Sequence, residues 1–272
     1  MALQKLEVDF CLLIPCFNNE AGLLHSLRSV HYNSNRFLIV LVDDGSDNPL
    51  TETVWKDKID IDCSIRLLTM PQNQGITAAL NYGLQWIYDH VRTNYVARLD
   101  CGDTCHADRF IEQVNWMDAH PDYLLLGCWC RFEDASGVGY DYVTATDYQQ
   151  IKKGMHFRNL FIHPGMLFRI TGADIENLFY PVQYPHAEDF ALAWMLLRKG
   201  PVAILPKILV RCELNTTGLS AANRSKQLIS RKNVIKDNAV NNILMYAGIL
   251  YHFMLRIVPN SLVLRFKHWK FS

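Results

Sequence analysis

Short apolar runs alternate with longer amphipathic stretches through the first half of the chain. The apolar runs predict buried strands and lie at residues 10–14, 37–42, 65–69 and 95–99. The stretches with apolar side chains at helical spacing lie at residues 20–30, 75–90 and 107–119. This alternation predicts βαβ units and an α/β fold with a mostly parallel central sheet flanked by helices. Because residues 37–42 show no polar alternation, we expect both faces of that strand to be covered.

The second half continues the pattern with fewer strands. Residues 123–132 predict a strand, and the turn residues Ser136, Gly137 and Gly139 predict a surface loop after it. A short apolar strand follows the sequence His-Pro-Gly at 163–165. Residues 187–198 predict a helix that Gly200 and the following proline end.

The chain changes character from about residue 222. A polar helical stretch is followed by an apolar stretch at 243–264, which His252, Arg256 and Pro259 interrupt, so it is poorly suited to crossing a bilayer. Basic and aromatic residues alternate at its end: Arg265, Phe266, Lys267, Trp269, Lys270 and Phe271. We expect an amphipathic helix at a membrane surface, with packing on the rest of the chain or on a second subunit as the alternative. The predicted domains are therefore a catalytic domain at 1–212 and a helical C-terminal extension at 213–272.

Composition restricts the classes of partner. Lysine plus arginine equals aspartate plus glutamate, 27 each among 272 residues, so no overall charge favours nucleic acid. Eight cysteines follow no disulfide framework, and no signal-peptide pattern opens the chain, which indicates a reducing cytoplasmic location. The pairs Cys101/Cys105 and Cys128/Cys130 are interpreted as buried thiols rather than zinc ligands.

Polar residues follow three of the predicted strands. Asp43 and Asp44 end one strand, and Asp100 and Asp103 follow another. An open α/β sheet binds ligands at the carboxyl ends of its strands, so these carboxylates should meet there. Their mutual repulsion would be relieved by Mg²⁺ or Mn²⁺ bridging phosphates of a substrate. The alternative is that each pair only forms an Asx turn or a helix cap.

Five motifs together resemble the family 2 inverting glycosyltransferases in order and spacing, most of all the bacterial enzymes that build lipopolysaccharide, O-antigen or capsule glycans. The motifs are Ile-Pro-Cys-Phe-Asn-Asn-Glu at 14–20, Val-Asp-Asp-Gly-Ser at 42–46, Asn-Gln-Gly at 73–75, Arg-Leu-Asp-Cys-Gly-Asp at 98–103 and Glu-Asp at 188–189. The resemblance covers residues 8 to about 212. It implies a GT-A fold that binds a nucleotide-diphosphate sugar, most often a UDP-sugar, with the nucleotide-sugar site in 1–130 and the acceptor side in 131–212.

By this resemblance, Pro15 and Phe17 line the base pocket, Phe17 lies against the face of the base, and Asp44 accepts a hydrogen bond from the uracil imide. The full set of implied nucleotide-sugar ligands is Pro15, Phe17, Asn18, Glu20, Asp43, Asp44, Asn73, Gly75, Arg98, Asp100 and Asp103. Many relatives have Asp-x-Asp-Asp where this chain has Gly102. This departure leaves Asp103 as the expected ligand of Mn²⁺ or Mg²⁺, with Asp100 as a further metal or ribose ligand.

The acidic pair is expected to supply the base. Asp189 would remove the proton of the acceptor hydroxyl, and Glu188 would orient the acceptor or its loop. The alternative is that both acids only complement a helix N-terminus. His163 and His186 are expected near the acceptor side but are not assigned to catalysis. Trp129 and Trp194 are interpreted as core residues rather than as a platform on which a sugar stacks.

Two other functions are weighed. A sugar-phosphate nucleotidyltransferase would need a glycine-rich phosphate loop after the first strand, which residues 15–20 do not offer. A catalytically inactive nucleotide-sugar-binding or scaffolding paralogue has only Gly102 in its favour. The expected partners are thus a UDP-sugar, a glycan or lipid-linked acceptor and a membrane surface, with a homo-oligomer as a possibility. The expected location is peripheral, on the inner face of the cytoplasmic membrane.

Overall fold

A nine-stranded mixed sheet organises the structure, a computed structural model. It describes residues 5–56, 58–59, 61, 63–134, 136–172, 178–214 and 223–258. The strands are β1 Leu6–Glu7, β2 Phe10–Cys16, β3 Phe37–Asp43, β4 Ser64–Thr69, β5 Val91–Arg92, β6 Tyr95–Arg98, β7 Thr104–Cys105, β8 Leu125–Glu133, β9 Gly139–Tyr142, β10 Leu167–Arg169 and β11 Val202–Glu213. The helices are α1 Glu20–Arg28, α2 Ile76–His90, α3 Arg109–Ala119, α4 Tyr148–Gly154, α5 Glu188–Lys199, α6 Arg224–Asn238 and α7 Asn242–Ile257.

The sheet has a parallel half and a mixed half. Its order is β4-β3-β2-β6-β10-β8-β11-β7, with β9 beside β8, and β1 pairs separately with β5. Neighbours among β4, β3, β2 and β6 are parallel, whereas β10 is antiparallel to both β6 and β8. All seven residues of β3 are buried, which confirms the expectation from its unbroken apolar run.

Helices cover both faces of the sheet. α1 and α3 pack through Leu23, Leu27 and Phe110 into one apolar cluster, and α2 and α5 pack into the other. On α2, Gly83 faces β2 so closely that a Cβ there would lie 2.4 Å from a methyl of Leu13. The result is a three-layer α/β structure in which the strand ends between the layers remain accessible from one edge.

Two sequence predictions need correction. The surface loop after β8 ends earlier than predicted, because Gly139 pairs with Glu133 and begins β9. The strand β11 is absent from the sequence-based prediction: Pro206 and Lys207 interrupt its apolar run, and register shifts around Ile208 accommodate them. Of the two cysteine pairs predicted to be buried, Cys128 and Cys130 are buried, whereas Cys101 and Cys105 are only half-buried.

In the described part of the C-terminal extension, helices α6 and α7 pack on each other after β11, which ends at Glu213. The polar stretch is α6, and the apolar stretch begins as α7 and continues into residues 259–272, which lie outside the described part of the chain. Within the described ranges, no helix has the length and apolar character needed to span a membrane. The division at residue 212 stays a prediction.

Candidate active site

Three parallel strands end at the same edge of the sheet and bring the predicted nucleotide-sugar residues together. Asp43 is the last residue of β3, and its carboxylate is fully buried. One oxygen accepts from the backbone N–H of Ser46 at 2.9 Å and the other from that of Leu50 at 2.8 Å. Asp43 therefore stabilises the conformation of the loop after β3, and each of its carboxylate oxygens has one hydrogen-bond partner in that loop.

Asp44 joins this loop to the loop before α2. Its Oδ1 accepts from the N–H of Gln74 at 2.9 Å. Its Oδ2 accepts from the N–H of Gly75 at 2.9 Å and from Nδ2 of Asn73 at 3.1 Å. A carboxylate can accept about four hydrogen bonds, so these three leave one acceptor position on Asp44, which is 3% exposed. Asn73 and Gly75, predicted as nucleotide ligands, are thus held in place by Asp44.

The loop after β2 presents an aromatic ring. Pro15 is buried within β2, whereas Phe17 is 45% exposed. Asn18 has a positive φ of 50° and exchanges hydrogen bonds with the side chain and backbone N–H of Asp47, at 3.0 and 2.9 Å. This turn leaves the Phe17 ring free to stack on a base. Glu20, at the start of α1, is exposed and lies 3.8 Å from Lys58.

Arg98 lies in the core rather than at the surface of the site. Its guanidinium is fully buried and donates to the carbonyls of Leu13 and Leu99, to Nε2 of His163 at 3.2 Å and to Oδ1 of Asp100 at 2.5 Å. Arg98 was predicted to contact the nucleotide sugar; the geometry instead makes it the residue that fixes Asp100 at the end of β6.

His163 extends this network toward the second half of the chain. Its Nε2 accepts from Arg98 and lies 2.9 Å from the hydroxyl of Tyr180, so the ring proton is on Nδ1, which lies 3.9 Å from Oδ2 of Asp100. Burial, followed by the charge of Arg98, lowers the pKa of His163 to about 4. The ring is therefore neutral at pH 7, and its Nδ1, at 3.9 Å from Oδ2 of Asp100, is too far away to donate a hydrogen bond to that carboxylate.

Asp103 lies beyond a tight turn in which Gly102 has a φ of 108°. This backbone region favours glycine, which gives a physical reason for glycine where many relatives have aspartate. Oδ1 of Asp103 accepts from the N–H of Glu213 at 3.0 Å, a contact made possible by the pairing of β7 with β11. Burial, and then the charge of Asp100, raises the pKa of Asp103 to about 7.

These two carboxylates fit a divalent cation that also binds phosphates. Burial, and then the charge of Asp100, keeps the pKa of Asp103 at about 7, and a cation between the two carboxylates would relieve their repulsion. The described residues contain no group of three or more His, Cys, Asp or Glu able to hold a metal unaided. Mg²⁺ and Mn²⁺ sites often use only one or two carboxylates together with substrate phosphates.

The acidic pair lies at the start of α5. Oδ2 of Asp189 accepts from Nδ2 of Asn159 at 2.8 Å, and Asp189 itself is partly exposed. Glu188 is 8% exposed, and its buried Oε2 has no hydrogen-bond partner. Burial, and then the charge of Asp189, raises the pKa of Glu188 to about 7. Both acids lie in the first turn of α5, where their charge also complements the helix N-terminus.

The acidic pair and the strand-end carboxylates face a common region. The buried hydroxyl of Tyr180 is within electrostatic range of Asp100, Asp189 and Glu188, and burial, the largest cause, raises its pKa. Tyr180 and Asn159 were not predicted from the sequence, because neither lies in a motif and their partners are distant along the chain. Of the other residues considered, Trp194 is a core residue and His186, with φ 63°, is half-buried beside the pair.

Known proteins share both the motifs and the fold. The model for glycosyl transferase family 2 matches residues 11–173, more than half of the chain. The chain belongs to glycosyl transferase family 2. The amylovoran biosynthesis glycosyltransferase AmsE of Erwinia amylovora is 28% identical to this family member over 216 residues, which cover 74% of this chain and 75% of AmsE.

Two solved structures share its fold. TarS 1-349 of S. aureus, in complex with UDP-GlcNAc, superposes with a TM-score of 0.68 at 15% identity, covering 91% of this chain and 73% of that one. The mannosyltransferase PcManGT of Pyrobaculum calidifontis, in complex with GDP-Man and Mn²⁺, superposes with a TM-score of 0.61 at 14% identity, covering 89% and 68%. At these identities the likeness concerns the fold alone, and it confirms the predicted GT-A fold.

Proposed function

We propose that this glycosyltransferase moves a sugar from a UDP-sugar to a hydroxyl of a glycan or lipid-linked acceptor, with inversion of configuration, in the synthesis of bacterial surface polysaccharide or lipopolysaccharide. The observation that carries the proposal is the shared environment of two groups of carboxylates. Asp100 at the end of β6 and the pair Glu188 and Asp189 on α5 all act on the buried Tyr180 hydroxyl. The strand-end carboxylate and the acidic pair therefore lie near the same buried hydroxyl, which supports a donor site and a base that serve one substrate.

The donor side supports a nucleotide. The half-exposed Phe17 ring offers a stacking surface, and Asp44 retains one acceptor position that suits the imide of uracil. The TarS structure binds UDP-GlcNAc and the PcManGT structure binds GDP-Man, which supports a nucleotide-diphosphate sugar as the donor. AmsE acts in amylovoran biosynthesis, which supports a role in surface polysaccharide.

The proposed reaction is a single displacement at the anomeric carbon of the donor sugar. Asp189 takes the proton of the acceptor hydroxyl, whose oxygen forms a bond to the anomeric carbon while the bond from that carbon to the diphosphate oxygen breaks. Asn159 holds Asp189 in one orientation through a hydrogen bond, and Arg98 holds Asp100 in the same way. A divalent cation at Asp103 and Asp100 would supply Lewis-acid stabilisation of the departing diphosphate.

Thermal unfolding with a panel of nucleotide sugars, in Mn²⁺ or in EDTA, tests the donor assignment. A ligand that binds only the folded chain raises its melting temperature. We expect UDP-sugars to do so in Mn²⁺, and Phe17→Ala to weaken this effect. Phe253→Ala is the matched control, since Phe253 is a comparably exposed phenylalanine on α7. The proposed donor site would be contradicted if no UDP-sugar raised the melting temperature. It would also be contradicted if the two substitutions changed that rise equally.

A further inference from the structure

The outer side of α7 is an apolar stripe. Its residues recur every three or four positions, so they lie on one side of the helix, and each is between 53 and 81% exposed. They are Ile243, Tyr246, Leu250, Phe253, Met254 and Ile257. At 1.5 Å per residue, the stripe is about 20 Å long. In a helix of a protein surrounded by water, such a stripe normally faces the core.

The side of α7 that faces the protein has the opposite character. Its buried residues are Gly248 and His252. Gly248 lies so close to the chain below that a Cβ would be 2.2 Å from the carbonyl oxygen of His156. His252 is 1% exposed, and neither ring nitrogen has a hydrogen-bond partner. The helix thus buries a polar ring and exposes its bulky apolar residues, an arrangement that needs an apolar environment on the outer side.

Positive charge is concentrated beside the stripe. Between residue 223 and the end of the sequence there are nine lysines and arginines and one acidic residue, Asp237, although the whole chain has equal numbers of both signs. Within the described part, these basic residues are Arg224, Lys226, Arg231, Lys232, Lys236 and Arg256. α6 packs directly on α7. Arg224 donates to the backbone carbonyl of Leu255 and Arg231 lies near the buried His252, whereas Lys226 and Lys236 are exposed.

We propose that α7 lies flat in the headgroup region of an anionic lipid bilayer, with its apolar stripe inserted and the basic residues near the lipid phosphates. α7 has 16 residues, which are too few to cross the hydrocarbon core. A helix of this kind binds through its apolar area together with electrostatic attraction, to which each lysine or arginine near the surface adds about 1 kcal/mol. Protein interfaces, in contrast, are depleted of lysine, so the charge favours lipid over a second copy of the chain.

This arrangement places the acceptor side near the membrane. Gly248 contacts His156, and three residues further along the chain Asn159 holds the proposed base Asp189. A lipid-linked acceptor would then meet Asp189 from the surface on which α7 lies, a consequence that rests on the proposed function. Lipid binding by α7 itself does not depend on turnover and is measured without a donor.

Vesicle co-sedimentation of the full chain tests the proposal. The vesicles are phosphatidylcholine alone and phosphatidylcholine mixed with phosphatidylglycerol, at low and high salt. We expect binding to the mixed vesicles to be at least about tenfold tighter than to phosphatidylcholine and to weaken with salt. The double variant Leu250→Glu with Phe253→Glu should lose this binding. Val138→Glu with Val182→Glu, two exposed apolar residues on other elements, is the control and should bind normally.

The melting temperature and its shift with UDP and Mn²⁺ are measured for both double variants. An unchanged shift separates loss of lipid binding from loss of the donor site or of the fold. The proposal is overturned if the wild-type chain binds neither kind of vesicle, or if the α7 variant binds as well as the control. It is also overturned if the wild type is a dimer without lipid and the α7 variant is a monomer, because the stripe would then pack on a second copy.

Discussion

Replacing Gly45 by alanine should separate the two loops that form the predicted base pocket. Gly45 has a φ of 68°, and a Cβ there would lie 2.3 Å from the backbone carbon of Gln72 and 2.5 Å from the nitrogen of Asn73. Ordinary contacts of a Cβ begin near 3.4 Å, so this backbone has to move by about 1 Å. The neighbouring Asp44 joins the same loops through three hydrogen bonds of 2.9 to 3.1 Å, which such a movement would stretch beyond their normal range.

The expected loss of stability follows from these bonds. Hydrogen bonds to a charged group contribute about 1.5–3 kcal/mol each, so losing one or two should cost about 2–4 kcal/mol. The positive φ itself adds roughly 1 kcal/mol for a residue other than glycine. Gly137→Ala is the matched control, because Gly137 has a φ of 80° but open space around its Cβ position. Gly137→Ala should therefore lose only the stability that corresponds to its positive φ.

Urea unfolding and UDP titration of both variants provide the assay. We expect Gly45→Ala to lower the free energy of unfolding by about 2–4 kcal/mol more than Gly137→Ala does, and to weaken UDP binding while the control leaves it unchanged. If the two variants lose the same stability and both bind UDP normally, the close approach of the two loops does not matter and the reasoning fails.

Three further results are expected. Asp103→Asn should remove the increase in UDP affinity that Mn²⁺ causes but leave residual binding of UDP, as UDP titration with and without the metal would show. An undiminished increase would exclude Asp103 as a metal ligand. Asn159→Ala should lower the transfer rate roughly tenfold or more with little effect on the KM for the donor, because it frees Asp189 from its 2.8 Å hydrogen bond. Burial lowers the pKa of His252 to about 4, below the ordinary value of 6.5, so the unfolded chain binds the proton first and stability is lost as the pH falls from 6.5 to 4. As the pH falls from 6.5 to 4, the free energy of unfolding of His252→Leu, measured in urea, should therefore rise relative to that of the wild type by up to about 2–3 kcal/mol. A difference between the two proteins that does not depend on pH would contradict this.

The elements that the sequence predicts well are those with an unbroken local pattern. β3 is a continuous apolar run between a polar turn and two aspartates, and its burial on both faces follows directly from that run. β11 escapes prediction because Pro206 resembles a break, and only the long-range pairing with β8 and its register shifts allow the strand to continue. Local pattern and tertiary pairing disagree there, and the pairing prevails.

The candidate site also has some features that the sequence predicts and others that it does not. Carboxylates at strand ends can be located from the sequence, because parallel strands end at one edge of the sheet. Which of them face a ligand cannot be predicted, since it depends on burial and on hydrogen bonds. Asp43 is fully buried and accepts two backbone N–H groups of its own loop, whereas Asp44 accepts three hydrogen bonds from the loop before α2. Arg98 shows the same limit, because only the fold reveals that its guanidinium is buried beneath Asp100.

Release of UDP from UDP-sugars in the presence of an acceptor preparation is the most direct test of the central claim, that Asp189 opposes a nucleotide-sugar site as the base of a glycosyl transfer. The wild-type chain and Asp189→Asn are compared, with the UDP affinity of each measured alongside. The account predicts acceptor-dependent release by the wild type, and a loss of release by Asp189→Asn with UDP binding intact. Transfer at the wild-type rate by Asp189→Asn would contradict the assignment of the base, and nucleotide binding without release by the wild type would favour an inactive member of the family.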